Sequence, residues 1–405
     1  MEPPPPPERT SFPAMDTEES RGSRRRRRLA AAGAVLFAVA VVVTVLVLRP
    51  WSSPAGGPAA GRLTAAADTG RVVALTGSQD LVVSRPDGTH TERFPALTQV
   101  GSDMTAAADN RYISLGDGRI VSTAGPRLAM AKTRIYPFVG GMQGVFGSWP
   151  FSDHDRQLLA IASGQDLYTD NRILEYSLAT GKSRSLGIAD VASGDPQTPG
   201  AFVTVGSTKD TPANAVAAQQ GKFLPDSKAE LRIPGKRPRL LASAATLAHD
   251  AGLPAGSKVS LGPYPSTFGD MVAFSVEGAA TRRTGIVILS RSGTLTAALP
   301  PSVDADGEPA WSPSGTTLAI PSSAQGGRHV LALWTAGHPV RTEPFPAGII
   351  YRTCIWSADG KRVLCAGTPQ RANITAASTK WAIASVSGGP MTQVTGPGTP
   401  VAWLP

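Results

Sequence analysis

The chain has 405 residues, a formal net charge of +9, 43 glycines and 36 prolines. This many turn-forming residues favours short strands over long helices, and the length allows either two or three ordinary domains or one large repetitive one. The positive charge does not indicate a nucleic-acid-binding protein. The arginine-rich tail has a net charge of only +2, the excess beyond Arg49 is a mild +6 spread along more than 350 residues, and no basic stripe with interleaved aromatic residues stands out.

Residues 1–28 are predicted to form a disordered cytoplasmic tail. They contain five consecutive prolines and almost no large apolar residues, so they cannot build a core. The tail ends in a basic cluster that consists of Arg24, Arg25, Arg26, Arg27 and Arg28. Because cytoplasmic flanks of membrane helices carry an excess of Lys and Arg, this cluster predicts that the tail lies inside the cell and the rest of the chain outside.

Residues 29–48 read LAAAGAVLFAVAVVVTVLVL and carry no charge. A helix of this length spans about 30 Å, the thickness of the bilayer hydrocarbon. We expect a single transmembrane signal anchor that contacts the lipid bilayer. A buried helix of a soluble domain and a cleaved signal peptide are the alternatives. The apolar core of a signal peptide is normally only about 7 to 15 residues long, but whether the anchor is cleaved stays open.

Residues 49–62 are rich in Pro, Gly and Ala and form a predicted linker. The remaining residues, 63–405, contain a repeat. Its members are short apolar strands that recur at intervals of 40 to 46 residues, with one interval of 70. The seven strands begin at Arg71, Arg111, Gln157, Ala201, Met271, Thr317 and Arg362. A β-rich run that ends in a Gly turn follows most of them.

A period of this length, built from short strands, is typical of β-propeller blades, which are buried only when neighbouring sheets cover both faces. We therefore predict an all-β domain that is a seven-bladed β-propeller. Six or eight blades remain possible, because residues 138–149 and 210–266 are hard to assign. The C-terminal sequence PVAWLP is predicted to complete the first blade beside Arg71–Leu75. The alternative places Thr64–Asp68 there and leaves the C-terminus as a loose strap.

Two stretches, AWSPSGTTLAI from Ala310 and IWSADGKRVLC from Ile355, repeat one phrase. We predict that its tryptophans end the innermost strands and pack between blades, and that its glycines take positive φ in the following turn. These are Trp311 with Gly315, and Trp356 with Gly360.

The two stretches resemble the repeats of TolB-like and related WD-type β-propellers, whose blades carry a W-S-P-D-G-x-x-[LI]-A phrase. The sequence GSWPFSDHDRQLLAIA is a weaker match. The resemblance implies a bacterial extracytoplasmic scaffold that binds proteins or small ligands at the ends of a central channel. It implies no particular activity, because this fold hosts both binding proteins and enzymes.

Cys354 and Cys365 are the only cysteines in the chain. If the hairpin between them has a two- or four-residue turn centred on Asp359 and Gly360, the two residues face each other and can form a disulfide. A three-residue turn would make their contact diagonal. Since this domain is predicted to lie outside the cell, we expect the disulfide to form.

No catalytic, cofactor or metal site is predicted. A G-x-S-x-G motif, a metal-binding spacing of histidines and a phosphate-binding glycine loop are all missing from the sequence. The polar cluster around His154 is predicted to be a solvated turn. The stretch VDADGE is predicted to be a turn between blades, because only Asp304 and Asp306 match a calcium loop.

The long interval carries the one amphipathic helical pattern outside the membrane segment, RLLASAATLAHDAG from Arg239 to Gly252. An insertion on a rigid scaffold often binds a partner, whereas the alternative here is a lengthened blade edge. Taken together, the sequence predicts a non-catalytic, single-pass protein of a bacterial plasma membrane, with a protein, peptide or glycan partner outside the cell. An enzyme with its active site at the channel mouth, and a sensor that signals to the tail, are the alternatives. No nucleic acid is expected, and the sequence makes no prediction of the oligomeric state.

Overall fold

In the computed structural model, most of the residues that can be described form β-strands. The description covers residues 70–94, 104–107, 110–115, 119–125, 127–131, 151–152, 157–163, 171–189, 191–198, 200–206, 227–278, 283–299, 304–305, 307–324, 327–369 and 379–405. The predicted tail, membrane segment and linker lie outside these residues. Within them, no helix is both long enough and apolar enough to span a bilayer.

The strands of the described residues form seven antiparallel sheets. Sheet 1 contains β1 (Arg71–Leu75), β2 (Leu81–Ser84) and β3 (Glu92–Arg93). Sheet 2 contains β4 (Thr105–Ala106), β5 (Tyr112–Ser114), β6 (Ile120–Ser122) and β7 (Ala129–Met130). Sheet 3 contains β8 (Phe151–Ser152), β9 (Gln157–Ser163), β10 (Asn171–Ser177) and β11 (Ser183–Ile188). Sheet 4 contains β12 (Val191–Gly194), β13 (Phe202–Gly206), β14 (Lys228–Arg232) and β15 (Arg239–Ser243).

The second half of the chain repeats this arrangement. Sheet 5 contains β16 (Lys258–Pro265), β17 (Met271–Glu277), β18 (Thr284–Ser290) and β19 (Leu295–Leu299). Sheet 6 contains β20 (Asp304–Ala305), β21 (Ala310–Trp311), β22 (Thr317–Ala324), β23 (Arg328–Thr335) and β24 (Arg341–Pro344). Sheet 7 contains β25 (Ile349–Trp356), β26 (Arg362–Pro369), β27 (Thr379–Ser385) and β28 (Thr392–Gly396). The last strand is β29 (Thr399–Leu404).

The seven apolar strands of the repeat are the second strands of the seven sheets, as the sequence predicted. They are β1, β5, β9, β13, β17, β22 and β26. In sheet 5 the second strand β17 and the third strand β18 are buried along almost their whole length. A strand covered on both faces reads as a continuous apolar run rather than an alternating one, which is why these strands stand out in the sequence.

The last strand completes the first sheet. Strand β29 pairs with β1 in antiparallel register, with Arg71 opposite Leu404 and Val73 opposite Ala402. Trp403 and Leu404 are almost completely buried. The predicted role of PVAWLP is therefore confirmed, and the first-strand position of sheet 1 that the alternative gave to residues 64–68 is occupied by β29.

Apolar clusters join consecutive sheets in a propeller-like succession. They lie between sheets 1 and 2, 3 and 4, 4 and 5, 5 and 6, 6 and 7, and between sheet 7 and sheet 1. Neither face of a four-stranded sheet can remain apolar in water, and among the described residues sheets 1, 4, 5, 6 and 7 are each stabilised by the sheets on both sides. The all-β prediction is confirmed.

The helix prediction for the long interval was wrong in its first part. Residues Arg239–Ser243 form β15, and only Ala244–Asp250 form a helix, α1. The strand forms because β14 offers hydrogen-bonding partners to its backbone. The change to helix occurs at Ser243, whose side chain caps α1 by accepting a hydrogen bond from the Thr246 N–H at 3.0 Å.

The prediction of a turn at VDADGE was also wrong in part. Asp304 and Ala305 form the short strand β20. Strand β22 extends as far as Ala324, so its last residues offer backbone hydrogen-bonding partners to β20. Asp306 and His154 lie outside the described residues.

Candidate functional site

The antiparallel sheets have two ends, which carry different loops. We call one the proximal end. It contains the turns between first and second strands and between third and fourth strands, together with Gly70, where β1 begins beside Leu404. The distal end contains the turns between second and third strands and the connections to the next sheet.

The two tryptophans of the repeated phrase tie first strands together near the proximal end. Trp356 is buried and its indole N–H donates to the Ala310 carbonyl at 2.8 Å. Trp311 is half-buried and its indole N–H donates to the Tyr264 carbonyl at 2.7 Å. The ring of Trp311 also packs edge-on against Trp334, with 6.1 Å between the ring centroids. Each tryptophan therefore joins its own sheet to the preceding one.

The two glycines of the phrase occupy the turns that follow. Gly315 and Gly360 have φ of 69° and 66°. Gly315 also lies against the preceding sheet, where a Cβ would be 2.3 Å from Ser266 Oγ and 2.6 Å from the Phe268 nitrogen. The Ser266 hydroxyl donates to the Gly315 carbonyl at 2.6 Å. A side chain at Gly315 would push these two turns apart.

A buried polar network that the sequence did not reveal joins sheets 4 and 5 at the proximal end. The Arg291 guanidinium donates to Gln197 Oε1 and Thr198 Oγ1, each at 2.8 Å, and forms an ion pair with Asp195. Burial raises the pKa of Asp195, while N–H donors from Gln197 and Thr198 and the charge of Arg291 oppose that rise. Because Arg291 is 96 residues from Asp195, no local pattern indicates the pair.

The proximal end also presents an exposed aromatic side chain. Phe268 is 72 % exposed, the largest exposure among the large apolar residues that the structure describes as exposed. Its turn is held in place, because the Gly269 N–H donates to Ser266 Oγ at 2.8 Å and the Gln197 side chain donates to the Gly269 carbonyl. Phe268 is thus an apolar group on a rigid turn.

Two charged side chains lie at the start of sheets 6 and 7, Glu308 between β20 and β21 and Arg352 on β25. The Glu308 N–H donates to the Arg352 carbonyl at 3.2 Å, and a Cβ at Gly307 would be 1.8 Å from that same oxygen. Both the Glu308 and Arg352 side chains are exposed, and neither forms an ion pair with a described residue. The surrounding protein nevertheless raises the pKa of Glu308 by desolvation.

Tyr264, on the neighbouring first strand, belongs to the same region. Its hydroxyl is buried beside the Ser275 hydroxyl. Burial raises the pKa of Tyr264 well above its ordinary value, the charge of Glu308 raises it further, and the Ser275 hydroxyl lowers it. This region thus offers an exposed carboxyl group and an exposed guanidinium that can bind polar groups of a ligand.

Both parts of the insertion meet at the distal end of sheet 4. One part, residues 207–226, lies outside the described residues, but the strands on either side of it, β13 and β14, place its two ends there. The other part begins with α1, whose Ala244 N–H donates to the Ser227 carbonyl at 3.0 Å.

The inner face of α1 packs against the core, and its outer face is open to solvent. Leu247 is fully buried and Ala251 nearly so, in the cluster between sheets 4 and 5. Ala245, Thr246 and His249 are exposed. We call the exposed face of α1 the distal platform, because its inner face is fixed in the core. The sequence predicted only that the insertion is either a partner-binding loop or a lengthened blade edge.

The remaining predicted residues are as follows. Cys354 and Cys365 lie directly opposite each other on β25 and β26 and form a disulfide, so this prediction is confirmed. The arginines at 24–28 lie outside the described residues. Within the described residues, no group of three or more His, Cys, Asp or Glu side chains is placed to hold a metal ion.

No protein-family model and no curated protein matches the chain. Solved structures with a similar fold include TolB from Acinetobacter baumannii, which is 16 % identical with a TM-score of 0.40 over 68 % of this chain and 63 % of that one. A putative TolB from Agrobacterium tumefaciens is 14 % identical with a TM-score of 0.39 over 66 % of this chain and 83 % of that one. This chain thus spans less than two thirds of the length of the Acinetobacter protein.

A prolyl endopeptidase is also similar, with 10 % identity and a TM-score of 0.47 over 82 % of this chain and 43 % of the enzyme. At these identities the comparisons concern the fold and leave the activity open.

Proposed function

We propose that the seven sheets are the blades of a seven-bladed β-propeller, anchored by residues 29–48 outside a bacterial plasma membrane, which binds a protein, peptide or glycan and catalyses no reaction. The observation that carries the proposal is the insertion at sheet 4. Both of its parts emerge at the distal end, away from Gly70, where the chain from the predicted anchor enters the domain.

The platform suits binding because it is rigid before the partner arrives. Segment α1 is fixed by Leu247 and by the Ser243 cap, so little conformational entropy is lost when its exposed face is covered. Loops on a rigid scaffold are also where binding residues concentrate.

The first strands supply a second contact for the same partner. An extended peptide or a glycan that enters the space between the sheets would meet the unpaired charges of Glu308 and Arg352. An exposed guanidinium binds carboxylate or carbonyl oxygen, and an exposed carboxyl group binds hydroxyl or ammonium groups. These two residues would therefore contribute specificity for polar ligands.

An enzyme with its active site at the channel mouth is the second candidate. It is favoured by the raised pKa of Glu308 beside that of Tyr264, because shifted pKa values cluster at catalytic sites. Binding is preferred because the other large polar cluster, around Arg291, satisfies its groups internally and leaves no base free.

The test is crosslinking capture from intact cells with the full-length chain, alongside capture on isolated cell-wall glycan. Ala245→Arg places a large charged side chain on the exposed face of α1, and we expect it to reduce capture at least about tenfold, as an interface clash does. Ala179→Arg, in an exposed proximal turn, is the matched control and should capture normally.

A second variant replaces residues 208–226 with a short Gly-Ser turn. This deletion is preferable to removing the whole insertion, because β14 and β15 are part of sheet 4. Equal capture by the wild type, Ala245→Arg and the loop variant would refute the proposed partner surface. A turnover activity that Glu308→Gln abolishes would instead support the enzyme.

A further inference from the structure

The topology fixes which end of the domain is tethered. Strand β1 starts at the proximal end, so the chain from the predicted anchor enters there, next to Leu404. Only residues 49–69 separate Gly70 from the predicted membrane segment. Fully extended, these residues would reach about 70 Å, and a flexible chain of this length has a typical end-to-end distance of about 25 Å. An anchor at residues 29–48 would therefore keep the proximal end within about 70 Å of the bilayer.

The side chains at this end suit a membrane interface. Phe268 projects from a turn that Ser266 and Gly269 hold rigid, and it is 72 % exposed. Apolar side chains such as Phe insert at the boundary between headgroups and acyl chains when an interfacial segment lies on a bilayer. Most of the Phe268 side chain contacts water, and burying it in a bilayer would be favourable.

The proximal end also carries charge that is complementary to anionic lipids. Lys236 and Arg237 are exposed in the turn between β14 and β15 of the adjacent sheet, at the same end. Neither forms an ion pair with a described residue. The nearby exposed acid Asp270 lies 3.8 Å from the Arg291 guanidinium, which offsets part of its charge.

We propose that the proximal end rests on the bilayer, with Phe268 inserted among the headgroups and with Lys236 and Arg237 bound to anionic lipid headgroups. This inference rests on the proposed membrane anchor and extends it, because it fixes the orientation of the domain and leaves the distal platform facing away from the membrane. Lipid is favoured over a protein partner at this end because the tether keeps the bilayer at a high effective concentration there.

The experiment uses the full-length chain reconstituted in vesicles of phosphatidylglycerol and phosphatidylcholine. Both native cysteines form a disulfide, so one introduced cysteine is the only free thiol. Thr267→Cys places a fluorescent nitrobenzoxadiazole label beside Phe268 without removing it, and Ala245→Cys places the same label at the distal end. Quenching by headgroup-proximal doxyl lipids is measured for both.

We expect the label at Thr267 to be quenched at least about threefold more than the label at Ala245. Adding Phe268→Ser should reduce that difference, and adding Lys236→Glu with Arg237→Glu should reduce it on anionic vesicles only.

If the protein floats with the vesicles but the two labels are quenched equally, the orientation is wrong while the anchor stands. If the protein does not float with the vesicles, the anchor itself is wrong. Quenching at Thr267 that persists with both sets of substitutions would show that these side chains do not cause the contact.

Discussion

Gly315 shows how one residue of the repeated phrase controls the contact between two sheets. Its φ is positive, and its neighbours Ser266 and Phe268 leave no room for a Cβ. The sequence predicted the conformation, because a glycine four residues after Trp311 is typical of a turn. The close approach of Ser266 depends on a strand 49 residues earlier in the chain, and no local pattern contains that information.

The same distinction explains which other residues were predicted. The pairing of Cys354 with Cys365 follows from counting along one hairpin. The ion pair of Arg291 with Asp195 does not, since two sheets must pack before these side chains meet. The charges of Glu308 and Arg352 were missed for the same reason.

Gly315→Ala should lower the free energy of unfolding more than Gly337→Ala. Both glycines have positive φ, so both substitutions cost about 1 kcal/mol for the left-handed conformation. A Cβ at Gly337 meets no atom within 4 Å, whereas one at Gly315 collides with the turn of sheet 5 and should cost about 1 to 3 kcal/mol more. Urea unfolding of both variants measures the difference, and equal losses would contradict the close packing of the two turns.

At the scale of elements, burial decided what the sequence could predict. The second strands were found because both of their faces are covered, which makes them continuous apolar runs. The sequence predicted a helix that begins earlier than α1 does. The apolar residues Leu240 and Leu241 fit the hydrophobic spacing of a helix and are equally compatible with a strand. Strand β14 decides between the two by pairing with β15, and this pairing is a tertiary effect.

The disulfide should stabilise the hairpin of β25 and β26 only moderately. It closes a small loop, so removing it with Cys354→Ala and Cys365→Ala should lower the free energy of unfolding by about 2 to 3 kcal/mol. The measurement is urea unfolding with and without dithiothreitol. The wild type should shift to a lower midpoint under reduction and the double variant should not. A wild type that is insensitive to reduction would show that the bond contributes nothing.

At the scale of the whole molecule, the closure of sheet 1 by the last strand connects the fold to the proposed function. It places both ends of the described domain at the proximal end, so the proposed tether at Gly70 would leave the distal platform free for a partner. The repeat predicted this closure, because PVAWLP matches the first-strand phrase of other sheets. The identity of the partner is not encoded in the repeat, since the insertion at residues 207–226 departs from it.

Hydrogen exchange of the C-terminal strand tests the closure most directly. The amides of β29 that face β1 should exchange as slowly as the amides of Arg71–Leu75, because each strand of an antiparallel pair protects the amides that face the other. Deleting residues 399–405 should then expose the β1 amides that face β29 and leave those that face β2 protected. Fast exchange of the β29 amides that face β1, in a chain whose β1 is still protected, would contradict the closure of sheet 1.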